Sequence, residues 1–296
     1  MTTPHRNLEV LRYTAFSADP AGGNPAGVIL NAAGLTDADQ LTIAAALGYS
    51  ETAFLTAPPA ELADQERAYT IRYFSPKGEV SFCGHATIAT AIAHAERHGP
   101  GNLVLATPAG TVPVTVTKTP DGALRAILTS VEPAIHHAAE KDVTEALQAL
   151  GWSATDLDPD FPPRIGYAGA RHLILAAATR SRLADLAYDF ERLKDFMTSL
   201  DLTTVQLVWR ESETVFHVRD PFPVGGVVED PATGAAAAAF GAYARELGLV
   251  PEEAVLELRQ GADMGRPGEL RVELYAGDAR VRVSGTATRI PQAGER

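Results

Sequence analysis

Apolar and polar residues alternate in short blocks along most of this chain, and two runs break the pattern by being apolar on nearly every side. Period-two alternation marks strands at 8–16 and 26–30, flanking a Gly22-Gly23-Asn24-Pro25 turn. Thr36 and Gly48 bracket a helix as its N-cap and its stop. Strands follow at 52–55 and 68–74, then a helix from about His85 to His98. A hairpin over 110–131 turns at Pro120-Asp121-Gly122. The second half repeats this grammar: a helix near 140–150, a strand at 171–178 and helical segments between 181 and 199. Strands at 203–209 and 214–219 come next, then a helix over 234–248. Three closing strands are expected near 254–259, 269–276 and 279–284. The least regular stretch between the halves is 151–168.

The two all-apolar runs are the central helices of each half. Placing Gly99 on Gly248 gives an offset of 149 (248 − 99) and pairs several alanines. Small residues suit a helix wrapped by curved sheet, because they let strand backbones approach closely. The fold class is therefore α+β, with two pseudo-symmetric domains, each a barrel-like curved sheet around a central helix. Their expected bounds are 1–130 and 131–296, the last strand returning to the N-terminal half.

Composition narrows the function. The chain has 296 residues, 46% of them hydrophobic and 21% charged, which is ordinary globular composition. A net charge of −12 with scattered Lys and Arg argues against nucleic acid as a partner. No apolar run reaches the ~18–20 residues of a membrane span. The first residues lack the apolar core of a signal peptide, and a single cysteine leaves no internal disulfide, so a cytoplasmic location is expected. One cysteine also excludes a zinc centre built of several thiolates.

Candidate chemistry clusters at the starts of the central helices. Gly84-His85-Ala86-Thr87 opens the first and Thr233-Gly234-Ala235-Ala236 the second. Free N–H groups at a helix start attract carboxylate or phosphate, although plain loop-to-helix capping explains either motif alone. Glu51 lies between Ser50 and Thr52 where an apolar strand begins. Desolvation there would lift its carboxyl toward a useful acid–base range, while the commoner fate of such a Glu is exposure at a strand edge. Asp230 precedes Pro231 near the second helix start, a frequent turn element. Cys83 is a nucleophile or a small buried apolar residue. His94 and His98 have the i, i+4 spacing of metal ligands but lack the Glu of His-Glu-x-x-His, so no metal is expected. Neither a dinucleotide fingerprint nor a Walker motif occurs.

The segments AFSADPAGGNPAGVIL, GYSETAFL, RYFSPKGEVSFCGHATIATA and EDPATGAAAAA occur in this order over about residues 8 to 285. Together they resemble the PhzF-like isomerases of phenazine biosynthesis, relatives of diaminopimelate epimerase. The resemblance implies an active site between two halves and cofactor-independent movement of a proton on a small carboxylate-bearing substrate. It implies Glu51 as general acid–base, His85 as the helix-mouth histidine and Asp230 as a second acidic residue. Asn24, Cys83, Gly84, Thr233, Gly234 and Ala235 take substrate-contacting positions, and a homodimer is expected. Diaminopimelate-type epimerases use two thiols; this chain has one cysteine, so a two-thiol mechanism is excluded and Cys83 is expected to line the site. Ala235 stands where many phenazine-type members carry a serine hydroxyl. Two other functions stay open: a racemase or epimerase using Glu51 and Cys83, and a non-catalytic binder of small acids on the same scaffold.

Overall fold

The computed structural model describes residues 8–292. The chain divides into two units: one takes the chain up to Thr129 together with the segment from Ser284 onward, the other is Ser130–Val283. The first contains β1 (Leu11–Ala15), β2 (Asn24–Ile29), α1 (Asp37–Leu47), β3 (Glu51–Thr56), β4 (Ala68–Ser75), β5 (Gly78–Val80), α2 (Gly84–His98), β6 (Gly101–Thr107), β7 (Gly110–Lys118) and β8 (Leu124–Thr129). Thr36 caps α1 in a reciprocal capping box with Asp39, and Gly48 ends it in the left-handed conformation.

Strand order follows from the pairings. β1 is antiparallel to β2, and β2 runs parallel to β3 through α1. β4 is antiparallel to β3, pairs with β5 at one end and runs parallel to β6 at the other. β7 and β8 close the series antiparallel. The C-terminal strand Ala287–Arg289 pairs with β1 on its other side. α2 packs against β1, β2, β3, β7, β8 and that C-terminal strand, so it lies inside the curve of the sheet. Its side chains from His85 to Ala95 are all buried. Four alanines (Ala86, Ala89, Ala91 and Ala93) are wholly enclosed, which is what close approach by so many strands demands.

The second unit contains β9 (Ala134–His137), α3 (Glu140–Leu150), β10 (Arg164–Tyr167), β11 (Arg171–Ala176), α4 (Arg180–Ala184), α5 (Phe190–Ser199), β12 (Thr204–Arg210), β13 (Val215–Pro221), β14 (Glu229–Asp230), α6 (Gly234–Glu246), β15 (Ala254–Gln260) and β16 (Gly268–Leu274). β17 (Arg282–Gly285) and β18 (Ala287–Arg289) complete the chain. The pairing scheme repeats that of the first unit. β10–β11 are antiparallel, β11–β12 parallel, β12–β13 and β13–β14 antiparallel, β13–β15 parallel and β15–β16 antiparallel. α3, α4 and α5 contribute to one apolar cluster with β10, β11 and β12, centred on Leu173, Leu193, Met197 and Leu207. α6 is buried from Ala236 to Ala244. No helix among the described residues is long and apolar enough to cross a membrane.

Two sequence expectations change. The irregular stretch 151–168 contains β10, which is only four residues long and begins with Arg164, too short for alternation to reveal. The helix starts differ by 150 (234 − 84) rather than 149, so aligning them pairs Cys83 with Thr233 and His85 with Ala235.

Gly241 shows how tight the wrapping is: a Cβ there would lie 2.6 Å from Val272 Cγ1 and 3.1 Å from Val281 Cγ1. Neither valine can swing away, because its methyls are fixed to a stiff β-branched stem. Gly241→Val is therefore expected to cost about 1–3 kcal/mol by overpacking. The loss should be read as a lower urea midpoint at unchanged m-value.

Candidate active site

The start of α2 brings together four of the residues singled out by sequence. Cys83 is the N-cap of α2 and its side chain makes no capping bond to the helix. Its Sγ donates toward Glu51 Oε2 at 3.6 Å and lies 3.3 Å from His85 Nδ1. His85 Nε2 is 3.5 Å from Glu51 Oε2 and 3.3 Å from Ser50 Oγ. Asn24 Nδ2 is 3.2 Å from His85 Nδ1. With the Asn24 amide donating to Nδ1, the ring proton sits on Nε2, facing Ser50 and Glu51. The Glu51 side chain is 15% exposed, and β3 is flanked by β2 and β4 on its two sides. The exposed strand-edge position, the commoner one for a Glu, is not the one this residue takes.

Local structure fixes this arrangement from behind. Thr87 Oγ1 donates to the Cys83 carbonyl at 2.6 Å, so the Tyr73 hydroxyl, 2.6 Å from Thr87, must donate to it in turn. Burial drives the Tyr73 hydroxyl well above its ordinary pKa, so it stays a donor. Asn24 follows Gly23, whose φ of +54° places it in the left-handed region. A Cβ on Gly23 would meet the Ala15 carbonyl at 2.1 Å, so only glycine delivers Asn24 here. His94, the helical metal-ligand candidate, instead bonds the Tyr69 hydroxyl through Nε2 at 2.9 Å, and burial lowers its pKa to about 4.

In the second unit, the loop before α6 is organised by one amide. Gln260 Nε2 donates to the Asp230 carbonyl at 2.8 Å and to Thr233 Oγ1 at 2.9 Å, and Gln260 Oε1 accepts from Thr233 N at 2.9 Å. Thr233 Oγ1 donates to Asp230 Oδ2 at 2.7 Å, which keeps the Asp230 carboxylate beside the helix start. Thr233 is the N-cap and, like Cys83, makes no side-chain cap. Gly234 and Ala235 open α6. Asp220 pairs with Asp230 across β13–β14. Full burial, reinforced by the charges of Asp230 and Glu229, raises the Asp220 carboxyl well above the usual range. Thr204 Oγ1 donates to Asp220 Oδ1 at 2.8 Å, so His172 Nδ1, 2.8 Å away, is the donor to Thr204. Sequence patterning missed the parts played by Ser50, Tyr73, Gln260 and Asp220. None carried a distinctive local signal: Asp220 directly follows Arg219 at the end of a mixed polar and apolar strand.

A family model described as phenazine biosynthesis-like protein matches residues 13–293. The chain belongs to that family. It is 30% identical over 292 residues to the uncharacterized isomerase YfhB of Bacillus subtilis, covering 96% of this chain and 97% of the relative. It is 28% identical over 267 residues to a trans-2,3-dihydro-3-hydroxyanthranilate isomerase of Pseudomonas aeruginosa, with 90% of each covered. A Bacillus anthracis crystal structure of the PhzF family superposes with a TM-score of 0.83 at 25% identity, covering 96% of this chain and 97% of that one. By family the chain is thus an isomerase, and it shares the α+β fold of its relatives.

The buried polar chain of the second unit makes the family member's stability depend on pH. Burial lowers the His172 pKa from 6.5 to about 3. Between those values the unfolded chain binds a proton that the folded chain refuses, so stability falls as pH drops through this window. His172→Gln removes that proton linkage. The stability difference between wild type and His172→Gln, measured by urea unfolding, should change by about 1.4 kcal/mol per pH unit across the window. A difference independent of pH would contradict a neutral buried His172.

Proposed function

We propose that this phenazine biosynthesis-like isomerase shifts a proton within a small carboxylate-bearing substrate, without a cofactor, using Glu51 as the general acid–base. The observation that carries this reading is the Glu51 carboxylate, mostly withdrawn from water and held against Cys83 and His85 at the uncapped start of α2. In the proposed cycle Glu51 removes a C–H proton beside an activating group and returns it to another carbon. The electron pair left on the substrate spreads into its unsaturated system. Backbone N–H groups in the first turn of α2, including Gly84, stabilise the charge that develops there. His85 presents its Nε2 proton to the substrate or to Glu51, and Asn24 keeps the ring in that tautomer. Cys83 lines the site. Asp230, with Thr233, Gly234 and Ala235, forms the corresponding polar helix start of the second unit.

The relative that acts on trans-2,3-dihydro-3-hydroxyanthranilate makes an unsaturated cyclic amino acid the first compound to assay. Ala235 offers no hydroxyl, so linear and other cyclic amino and hydroxy acids belong in the same screen. The experiment is NMR-followed isomerisation by protein dialysed exhaustively against a chelator. Turnover should persist without added metal, nucleotide or pyridoxal phosphate, and Glu51→Gln should lower kcat by ~10²–10⁴ with the fold unchanged. Near-wild-type turnover by Glu51→Gln, or activity restored only by a metal, would overturn the reading.

A further inference from the structure

Four buried polar atoms on one face of the second unit's sheet have no hydrogen-bond partner among the described residues. They are His172 Nε2, both amide atoms of Gln206, and Asp220 Oδ2. We propose that these atoms form one internal hydration site, a closed binding place for structural water on the inner face of β11, β12 and β13. The site lies wholly within the second unit and does not depend on the role given to Glu51 above.

Strand pairing gathers the four atoms. His172 lies opposite Thr204 in the β11–β12 ladder, and Gln206 follows two residues along β12 on the same face. The β12–β13 ladder pairs Leu207 with Arg219, which puts Gln206 beside Asp220 at the next step. The 2.8 Å bond from Thr204 to Asp220 shows that these side chains share a face. That face is turned toward α6. The alternate residues Leu173, Leu175, Val205 and Leu207 belong to the apolar cluster on the other side, while Phe216, on the Asp220 side of β13, meets Phe240 of α6 with ring centres 4.8 Å apart. His172, Gln206 and Asp220 are each 0% exposed, so bulk water does not reach them. α6 opens with Gly234 and five alanines, so this stretch of the covering helix supplies no polar side chain and no bulk beyond a methyl.

Hydrogen-bond directions define what the site can hold. Thr204 Oγ1 donates to Asp220 Oδ1 and His172 Nδ1 donates to Thr204, so His172 Nε2 is a bare acceptor. Full burial raises the Asp220 carboxyl well above the usual range and favours its acid form; with Oδ1 accepting, the proton sits on Oδ2. The Thr233 hydroxyl also acts on Asp220 but spends its hydrogen on Asp230 Oδ2. The site therefore offers two donors, Asp220 Oδ2–H and the Gln206 NH2, and two acceptors, Gln206 Oε1 and His172 Nε2. Leaving such groups unpaired in the interior is costly, and the great majority of buried polar groups in proteins are paired. Water both accepts and donates, and a buried molecule typically makes about three hydrogen bonds to such groups. A cation would leave both donors unpaired, and a neutral Asp220 gives it no charge to offset. An anion would leave both acceptors unpaired.

The test is a crystal structure of the wild-type chain at a resolution that orders internal water, with solution NMR of the same protein beside it. Enclosed water is expected within about 2.7–3.2 Å of the Gln206 amide and of Asp220 Oδ2 or His172 Nε2. In solution the Gln206 side-chain NH2, assigned by its loss in Gln206→Met, should show a rotating-frame cross-peak to water with the sign of through-space transfer rather than of exchange. A Gln206 amide bonded directly to Asp220 or His172, with no enclosed water, overturns the site. So does density that touches only the acceptor atoms, as a cation would, or a Gln206 NH2 without a through-space peak to water. None of these readouts needs turnover, so the hydration site and the acid–base assignment stand or fall separately.

Discussion

Close approach of strand backbones to a helix of small side chains is the constraint on which the rest depends. The wholly enclosed alanines of α2 let strands close around it, and in α6 the absence of a side chain at Gly241 leaves room for Val272. Larger residues would push the sheet outward and lengthen the path of every connecting loop. Because each helix is gripped along its length, its first turn is fixed in space, and so is whatever the loop delivers to it. In the first unit that is Cys83 and His85; in the second it is Thr233 and the Asp230 carboxylate.

Such rigidity has an electrostatic consequence. Polar groups placed beside a buried helix start lose water, and each must find a partner or stay costly. In the first unit the partners are one another: Cys83, Glu51, His85, Asn24 and Ser50 satisfy each other through contacts of 3.2–3.6 Å. Those contacts are longer than the tight bonds behind them, such as the 2.6 Å Thr87–Cys83 link. A firmly bonded shell thus supports a loosely bonded cluster, which leaves Glu51 able to exchange its contacts for a substrate proton. The second unit differs in kind. Gln260 ties its loop with three bonds of 2.8–2.9 Å, and Asp220, Thr204 and His172 extend a buried chain behind it.

Legibility in the sequence followed the range of the interactions involved. Caps such as Thr36 and Gly48 act within a few residues, so the residues themselves announce them. The central helices were visible because apolarity on every face has one soluble solution, enclosure. β9, β10 and β14 were invisible, since strands of four, four and two residues exist only through their pairing partners. Glu51 shows the same limit at the site. Its own neighbours describe a strand start, and nothing local says that β2 and β4 flank it or that Cys83 lies 32 positions away in sequence and 3.6 Å away in space. The motif FCGHAT singled out that helix mouth through family resemblance. Gln260 sits outside every quoted motif, so its role emerged only with the fold.

The central claim is that one carboxylate, rather than a carboxylate and a thiol on opposite faces, moves the proton. Both groups lie in the same cluster, so proximity cannot choose between them. Parallel turnover measurements on Cys83→Ala and Glu51→Gln, with whichever small acid the wild type isomerises, separate the two directly. The account predicts that Cys83→Ala keeps kcat within about tenfold of wild type while Glu51→Gln loses ~10²–10⁴. Equal and severe loss in both variants would contradict it and make Cys83 the second base.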